Sequence, residues 1–300
     1  MIVRSRARRR PGSLGHRGFC PSFNLERVLT YITPPVLSCL DGADECVRDG
    51  QSKVIDLHCH LLPGVDDGPR SLGQALALAA ASVENGISSA VVTPHVYPGH
   101  FENSLSSLLP VFANFRAALD QAGIKLELHL GAEVRLHPDA FELFESGDLP
   151  VLETVAGGRT VLLEFPDAQV PVGALAACKH FILKGVRPLI AHPERNKEFM
   201  REPSRVKPFL DAGCLLQITA ASVVGGFGPQ AWQAAHAMLA NGWVAVMATD
   251  CHNLAHRPPV LRQARDVITQ RYGLGLAHRL THDTPAEILG QGVPKLEADA

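Results

Sequence analysis

The stretch Asp56-Leu57-His58-Cys59-His60, followed by Asp66-Asp67-Gly68, has the residue types and spacing of a metal site. Val54 and Ile55 ahead of it read as a buried strand. Side chains alternate along a strand, so His58 and His60 project to one side and can reach one ion. Asp66 and Asp67 follow in a loop punctuated by Pro63, Gly64 and Gly68, which can fold a carboxylate back over the same site. At this level either aspartate could be the donor, although Asp67 is the one counted here. The pattern recurs downstream at His95, Glu133, Glu164, His192, Asp250 and His252, each at or just past the end of an apolar run. One divalent ion takes about four to six donors. Five imidazoles and four carboxylates suit two or three ions that share a bridging carboxylate. Clustered ions about 3.5–4 Å apart hydrolyse phosphate esters by clamping the phosphoryl oxygens and lowering the pKa of water. An imidazole and carboxylate set without thiolate favours manganese, iron or zinc in a catalytic role over a structural zinc.

The elements that must position these residues are legible from residue 53 onward. Apolar runs at 53–58, 89–93, 125–130, 160–163, 188–191, 214–218 and 244–248 read as strands. Helical patterns lie between them, at about 71–85, 104–122, 138–145, 172–184, 204–212 and 229–241, with two more near 260–272 and 285–290. Ser71 and Ser104 are capping residues, and Gly86, Gly123 and Gly185 are stops. Alternation of this kind predicts an α/β protein with a parallel sheet and helices outside. In an open sheet six strand ends would span too wide a line to share one site. In a barrel they ring one mouth, where barrel enzymes keep their chemistry. The expectation is a distorted (β/α)7 barrel over residues 51–300.

The bulk properties exclude other classes. The chain has 300 residues, 46% of them hydrophobic, and a formal net charge of −2, so it lacks the basic balance of a nucleic-acid binder. No apolar run approaches membrane-spanning length. Seven cysteines with no Cys-x-x-Cys spacing argue against a disulfide framework and for a reducing cytoplasm. Residues 1–50 open with Arg4, Arg6, Arg8, Arg9 and Arg10 and then Pro11 and Gly12, without the apolar core of a signal peptide. They read as a poorly ordered extension or an over-extended gene start.

Read together, Asp56-x-His58-x-His60 with Asp66-Asp67-Gly68, Thr93-Pro94-His95, Gly131-Ala132-Glu133, Leu163-Glu164-Phe165, His192-Pro193-Glu194-Arg195 and Asp250-Cys251-His252 resemble the polymerase-and-histidinol-phosphatase metallohydrolase superfamily. More narrowly, the chain is similar to the bacterial manganese-dependent tyrosine phosphatases of capsule and exopolysaccharide loci, over about residues 53–290. The resemblance implies three metal positions. His58, His60, Glu133 and Asp250 would hold the first ion. Glu133, Glu164 and His192 would hold the second, and Asp67, His95 and His252 the third. It also implies that Arg195 and Arg257 bind phosphate, for which a planar guanidinium is suited. The implied substrate is a phosphotyrosine protein, a polysaccharide-export tyrosine kinase. A homo-oligomer is compatible with it. The alternatives are a small-metabolite phosphatase of the histidinol-phosphate kind, a nuclease-like relative, and a non-catalytic metal-binding barrel.

Several residues take a plainer reading. His16, His100, His129, His137, His180, His236, His256, His278 and His282 are expected away from the mouth. Cys59 and Cys251 should be small core side chains. Cys251 to Arg257 spells Cys-x5-Arg, the outline of a cysteine-phosphatase loop, but the intervening residues contain no glycine to curl backbone amides round a phosphate. Gly225-Gly226-Phe227-Gly228 lacks the Gly-Lys-Ser of a nucleotide loop.

Overall fold

Buried apolar strands and amphipathic helices alternate through the computed structural model, which describes residues 53–154 and 157–291. The expectation for residues 1–50 lies outside the described residues. The first half runs β1 (Val54–Cys59), α1 (Leu72–Glu84), β2 (Ile87–Val92), β3 (His95–Val96), α2 (Leu105–Gln121), β4 (Glu127–Leu130), β5 (Glu133–Arg135) and α3 (Pro138–Glu145). Then come β6 (Leu152–Glu153), β7 (Arg159–Glu164), α4 (Ala174–Leu183), β8 (Val186–Ala191), α5 (Lys197–Arg201) and α6 (Lys207–Asp211). The chain continues through β9 (Leu215–Thr219), α7 (Ala220–Val223), α8 (Gly228–Ala240) and β10 (Val246–Ala248), and closes with α9 (Leu261–Tyr272), α10 (Leu274–His278) and α11 (Thr284–Ile288).

The fold is α/β with parallel sheets. One sheet has the order β1-β2-β4, and the other runs β10-β9-β8-β7-β5-β3, with β6 antiparallel on β7. Two of the seven strands expected from the sequence, 89–93 and 125–130, are each followed after a break by a short further strand in the other sheet. Pro94 has no N–H to donate to a ladder, and it separates β2 from β3. Gly131 and Ala132 separate β4 from β5. Backbone bonds continue across both breaks, from Gly131 N to Val92 O at 2.9 Å and from Glu133 N to Pro94 O at 3.1 Å. Gly131 is required there, because a Cβ would sit 2.9 Å from Val91 Cγ1. Beyond β10, Asp250 N donates to His58 O at 2.7 Å and His60 N to Cys251 O at 2.9 Å. The buried Asp56 carboxylate accepts from both Thr249 N and Thr249 Oγ1, which ties β1 to the same segment.

The strands have two apolar faces. One packs with the helices in the larger core, which includes Cys59 and Cys251. The other brings Ile55, Leu57, Val91, Leu162, Leu189 and Val246 together in a second cluster with Ala286 and Ile288 of α11. Among the described residues no helix is long and apolar enough to cross a membrane.

Candidate metal centre

The carboxyl ends of the parallel strands deliver the polar residues. His58 belongs to β1 and His60 follows it; His95 opens β3 directly opposite Glu133 on β5. Glu164 ends β7 opposite Arg135 of β5. His192 and Asp250 come just after β8 and β10, and both have positive φ, at 32° and 52°. Non-glycine residues rarely adopt this conformation, and it concentrates at functional sites. Here it turns the chain off the strand and the side chain into the cluster. Gly68 lets the Asp66-Asp67 loop lie against His60, since a Cβ would stand 2.9 Å from His60 O.

Three overlapping groups of donors form. His58, His60, Glu133 and Asp250 make the most buried one. His58 Nε2 lies 3.2 Å from both Glu133 Oε2 and Asp250 Oδ1 and 3.3 Å from His60 Nε2. His60 Nε2 is 3.2 Å from Glu133 Oε2 and 3.4 Å from Asp250 Oδ1. Tetrahedral donors bound at about 2.1 Å stand about 3.4 Å apart, so this quartet has the dimensions of a coordination shell. Asp250 Oδ1 and His95 Nδ1 are buried and make no hydrogen bond among the described residues, although charged or polar partners face them. These orphaned atoms and the donor chemistry fit a divalent ion.

The second group joins His60 with Asp67, His95 and His252. Asp67 Oδ1 lies 3.3 Å from His95 Nε2 and 3.2 Å from His252 Nε2. The third comprises His95, Glu133 and Glu164. His192 approaches the other oxygen of Glu133, at 2.6 Å from Oε1. Glu164 meets Arg135 Nη1 at 3.0 Å and is gathered with His95 and Glu133 rather than with His192.

The outer nitrogens of three imidazoles are held by acceptors, as in metal sites. His58 Nδ1 meets Gln217 Oε1 at 2.9 Å, His60 Nδ1 meets Asp66 Oδ2 at 2.7 Å, and His252 Nδ1 meets the Asp250 carbonyl at 3.0 Å. Each leaves Nε2 to face the cluster. Asp66 and Asp67 therefore have different surroundings: Asp66 supports His60, and Asp67 stands among the donors. Burial pushes His192 down to about 4, with Arg195 adding to it, and burial with the nearby His60 does the same to His252. Burial would also lower His58, but the Glu133 and Asp250 carboxylates outweigh it and push it up to about 10. Burial would raise Glu133, yet His58, His95 and His192 hold it well below the usual carboxylate range. Glu164 rises to about 7 through burial and the nearby Glu133, against the pull of Arg135.

Arg195 and Arg257 both donate to Asp250 Oδ2, and Arg257 Nη1 also lies 3.0 Å from His252 Nε2. Asp250 thus turns one oxygen to the imidazoles and the other to two guanidiniums. Cys251 is fully buried and its thiol is pushed up to about 12, first by burial and then by Asp56, so a cysteine nucleophile has no support here. Sequence reasoning missed Gln217, inside β9 with no motif around it, and Arg135, the last residue of β5 and two beyond Glu133. Asp66 was visible, but its role was not.

Clustered imidazoles and carboxylates at the carboxyl ends of parallel strands define a candidate polynuclear metallohydrolase centre. The profile of the family described as Capsular polysaccharide synthesis, CpsB/CapC matches residues 54–290, and the chain belongs to that family. It is 32% identical over 241 residues to the tyrosine-protein phosphatase CpsB of Streptococcus pneumoniae, covering 79% of this chain and 98% of that one. It is 30% identical over 236 residues to the tyrosine-protein phosphatase YwqE of Bacillus subtilis, covering 79% and 91%. A solved structure from work on YwqE and CpsB, described as unique metal-dependent tyrosine phosphatases, superposes with a TM-score of 0.73 at 29% identity, covering 80% of this chain and 96% of that one. A phosphotriesterase homology protein from Escherichia coli shares the fold at a TM-score of 0.52 and 11% identity, covering 80% and 99%.

Proposed function

We propose that this chain is a metal-dependent protein-tyrosine phosphatase. Water adds to phosphorus, the bond to the phenolic oxygen breaks, and tyrosine and inorganic phosphate leave. The observation that carries the reading is the double use of Asp250, one oxygen facing His58 and His60 and the other holding Arg195 and Arg257. It sets phosphate-binding cations against a metal-type donor shell, in a chain 32% identical to a tyrosine phosphatase.

His58, His60, Glu133 and Asp250 would hold one ion and Asp67, His95 and His252 another; at the position between, Glu133 would be joined by His192 on Oε1, and Glu164, which stands with His95 and Glu133, would have to turn toward His192 to complete it. Such ions, manganese in our reading and iron or zinc by the same donor chemistry, supply charge neutralisation at the phosphoryl oxygens and a lower pKa for the attacking water. Arg195 and Arg257 exchange Asp250 Oδ2 for phosphoryl oxygens when substrate arrives and orient the group. Phe101 stacks on His95 with ring centroids 5.5 Å apart, and Tyr97 lies under Arg135 at 5.0 Å, which gives an aromatic rim suited to a phenyl ring. The bonds of Asp250 and His60 between β1 and the segment after β10, together with the second apolar cluster, support closure of the sheets into a distorted (β/α)7 barrel. The substrate protein we infer is a tyrosine kinase of polysaccharide export, on which this chain would act in the cytoplasm.

The test compares kcat/KM for a tyrosine-phosphorylated peptide, histidinol phosphate and nucleotides, using metal-reconstituted protein. The peptide should be preferred. A clear preference for a small metabolite overturns the tyrosine-phosphatase reading.

A further inference from the structure

We propose that His278, His282 and Asp283 form a separate binding site for a divalent transition-metal ion. Asp283 Oδ1 lies 3.0 Å from His278 Nδ1 and 2.8 Å from His282 Nδ1. The two imidazole rings lie with centroids 4.5 Å apart. The three donor atoms all lie within 4.8 Å of one another, close enough for one face of a coordination shell with bonds of about 2.1 Å after a small adjustment of the side chains. Two imidazoles and a carboxylate suit zinc, nickel or copper, with water completing the shell.

The local backbone makes this convergence. In a regular α-helix residues i and i+4 share a face, but i+5 falls about 140° away. Residues Arg279–Asp283 instead form a π-helical turn, and its wider loop brings Asp283 back to the side of His278 and His282. Such turns are rare and concentrate at functional sites. A partly exposed His–Asp contact contributes little by itself. The three side chains remain 28%, 21% and 34% exposed, so an ion can enter from solvent.

The site is independent of the candidate catalytic centre. Arg279 and Thr284, which flank it, line a cavity with Arg159, Thr160, Val186 and Arg187, the first residues of β7 and β8. That is the amino end of the strands, whereas the candidate catalytic donors sit at the carboxyl ends. The triad leads straight into α11, whose Ala286 and Ile288 pack with Ile55 and Leu57. An ion here would tie the end of α10 to the start of α11 across the π-helical turn.

Equilibrium dialysis of the full chain against nickel, followed by elemental analysis, tests this. Wild type should hold one ion per chain more than the His278→Gln/His282→Gln double variant. Asp283→Asn should weaken that ion at least tenfold. Both variants should keep their circular dichroism and their kcat on phosphopeptide within twofold. An equal ion count in wild type and double variant, the result for a plain His–Asp ion pair, overturns the proposal. So does an Asp283→Asn protein that binds nickel as tightly as wild type.

Discussion

Replacing Asp66 by Asn separates the support of the cluster from its donors. The Asp66 carboxylate accepts from His60 Nδ1 at 2.7 Å and from His95 N at 3.1 Å through one oxygen, and from Gly68 N at 2.9 Å through the other. It fixes the His60 ring so that Nε2 faces the quartet, and it holds the loop that carries Asp67. Asparagine keeps the shape, but one arm becomes a donor and must face an N–H on one side. The bond that survives loses its charge assistance and about half its strength. Losing such an outer partner lowers metal affinity about 10- to 100-fold, which is about 1.4–2.7 kcal/mol. The number of ions held at saturation should not change. Asp67→Asn, by contrast, alters a donor within the group containing His95 and His252, and that ion should disappear from the count. Manganese titration calorimetry and elemental analysis on both variants read the two effects. If Asp66→Asn loses an ion while Asp67→Asn binds as wild type, the two aspartates have been assigned the wrong way round. If Asp66→Asn binds manganese as tightly as wild type, the supporting role is refuted.

Other expectations follow from the same geometry. Arg257→Ala should lower kcat/KM on phosphopeptide about 10- to 150-fold, the equivalent of a charge-assisted contact of about 1.5–3 kcal/mol; a change within twofold would remove Arg257 from phosphate binding. Cys251→Ser should keep most of the activity, since the thiol is buried and pushed up to about 12, and a collapse of turnover would revive a thiolate nucleophile. His58 is pushed up to about 10 by the Glu133 and Asp250 carboxylates, which outweigh its burial, so it carries a proton at pH 7 in the metal-free protein. This pKa exceeds the unfolded value, so its stabilisation of the metal-free fold is complete below about 6.5 and is lost as pH rises toward 10. Metal binding must expel this proton, and calorimetry in buffers of different ionisation enthalpy should find net proton release at pH 7; no release would contradict a protonated His58.

Much of this was legible because each strand carries its chemistry at one end. Val54-Ile55-Asp56-Leu57-His58-Cys59 is buried throughout, so the apolar run and the histidine that follows belong to one readable signal. The residues His58, His60, His95, Glu133, His192, Asp250 and His252 could be chosen for the same reason, and the structure gathers them. What stayed hidden depends on backbone geometry or on cross-strand register. Beyond Pro94 and Gly131 the hydrogen bonding runs on into the short strands β3 and β5, which no periodicity reveals. Arg135 meets Glu164 because the two stand opposite in β5 and β7, a register that neither strand specifies alone. The adjacent Asp66 and Asp67 differ only in which way the loop turns each carboxylate. The π turn at 279–283 bears no proline or glycine to announce it, so His278 and His282 fall between the two expected helices and carry only the expectation of lying away from the mouth.

The central claim is that metal ions held by these strand-end donors carry out the hydrolysis. Its most direct test is phosphatase activity on a tyrosine-phosphorylated peptide after exhaustive chelation, with the metal content verified, and again after manganese is restored. Activity should vanish on stripping and return with manganese. Full turnover in protein shown to be free of metal would contradict the account.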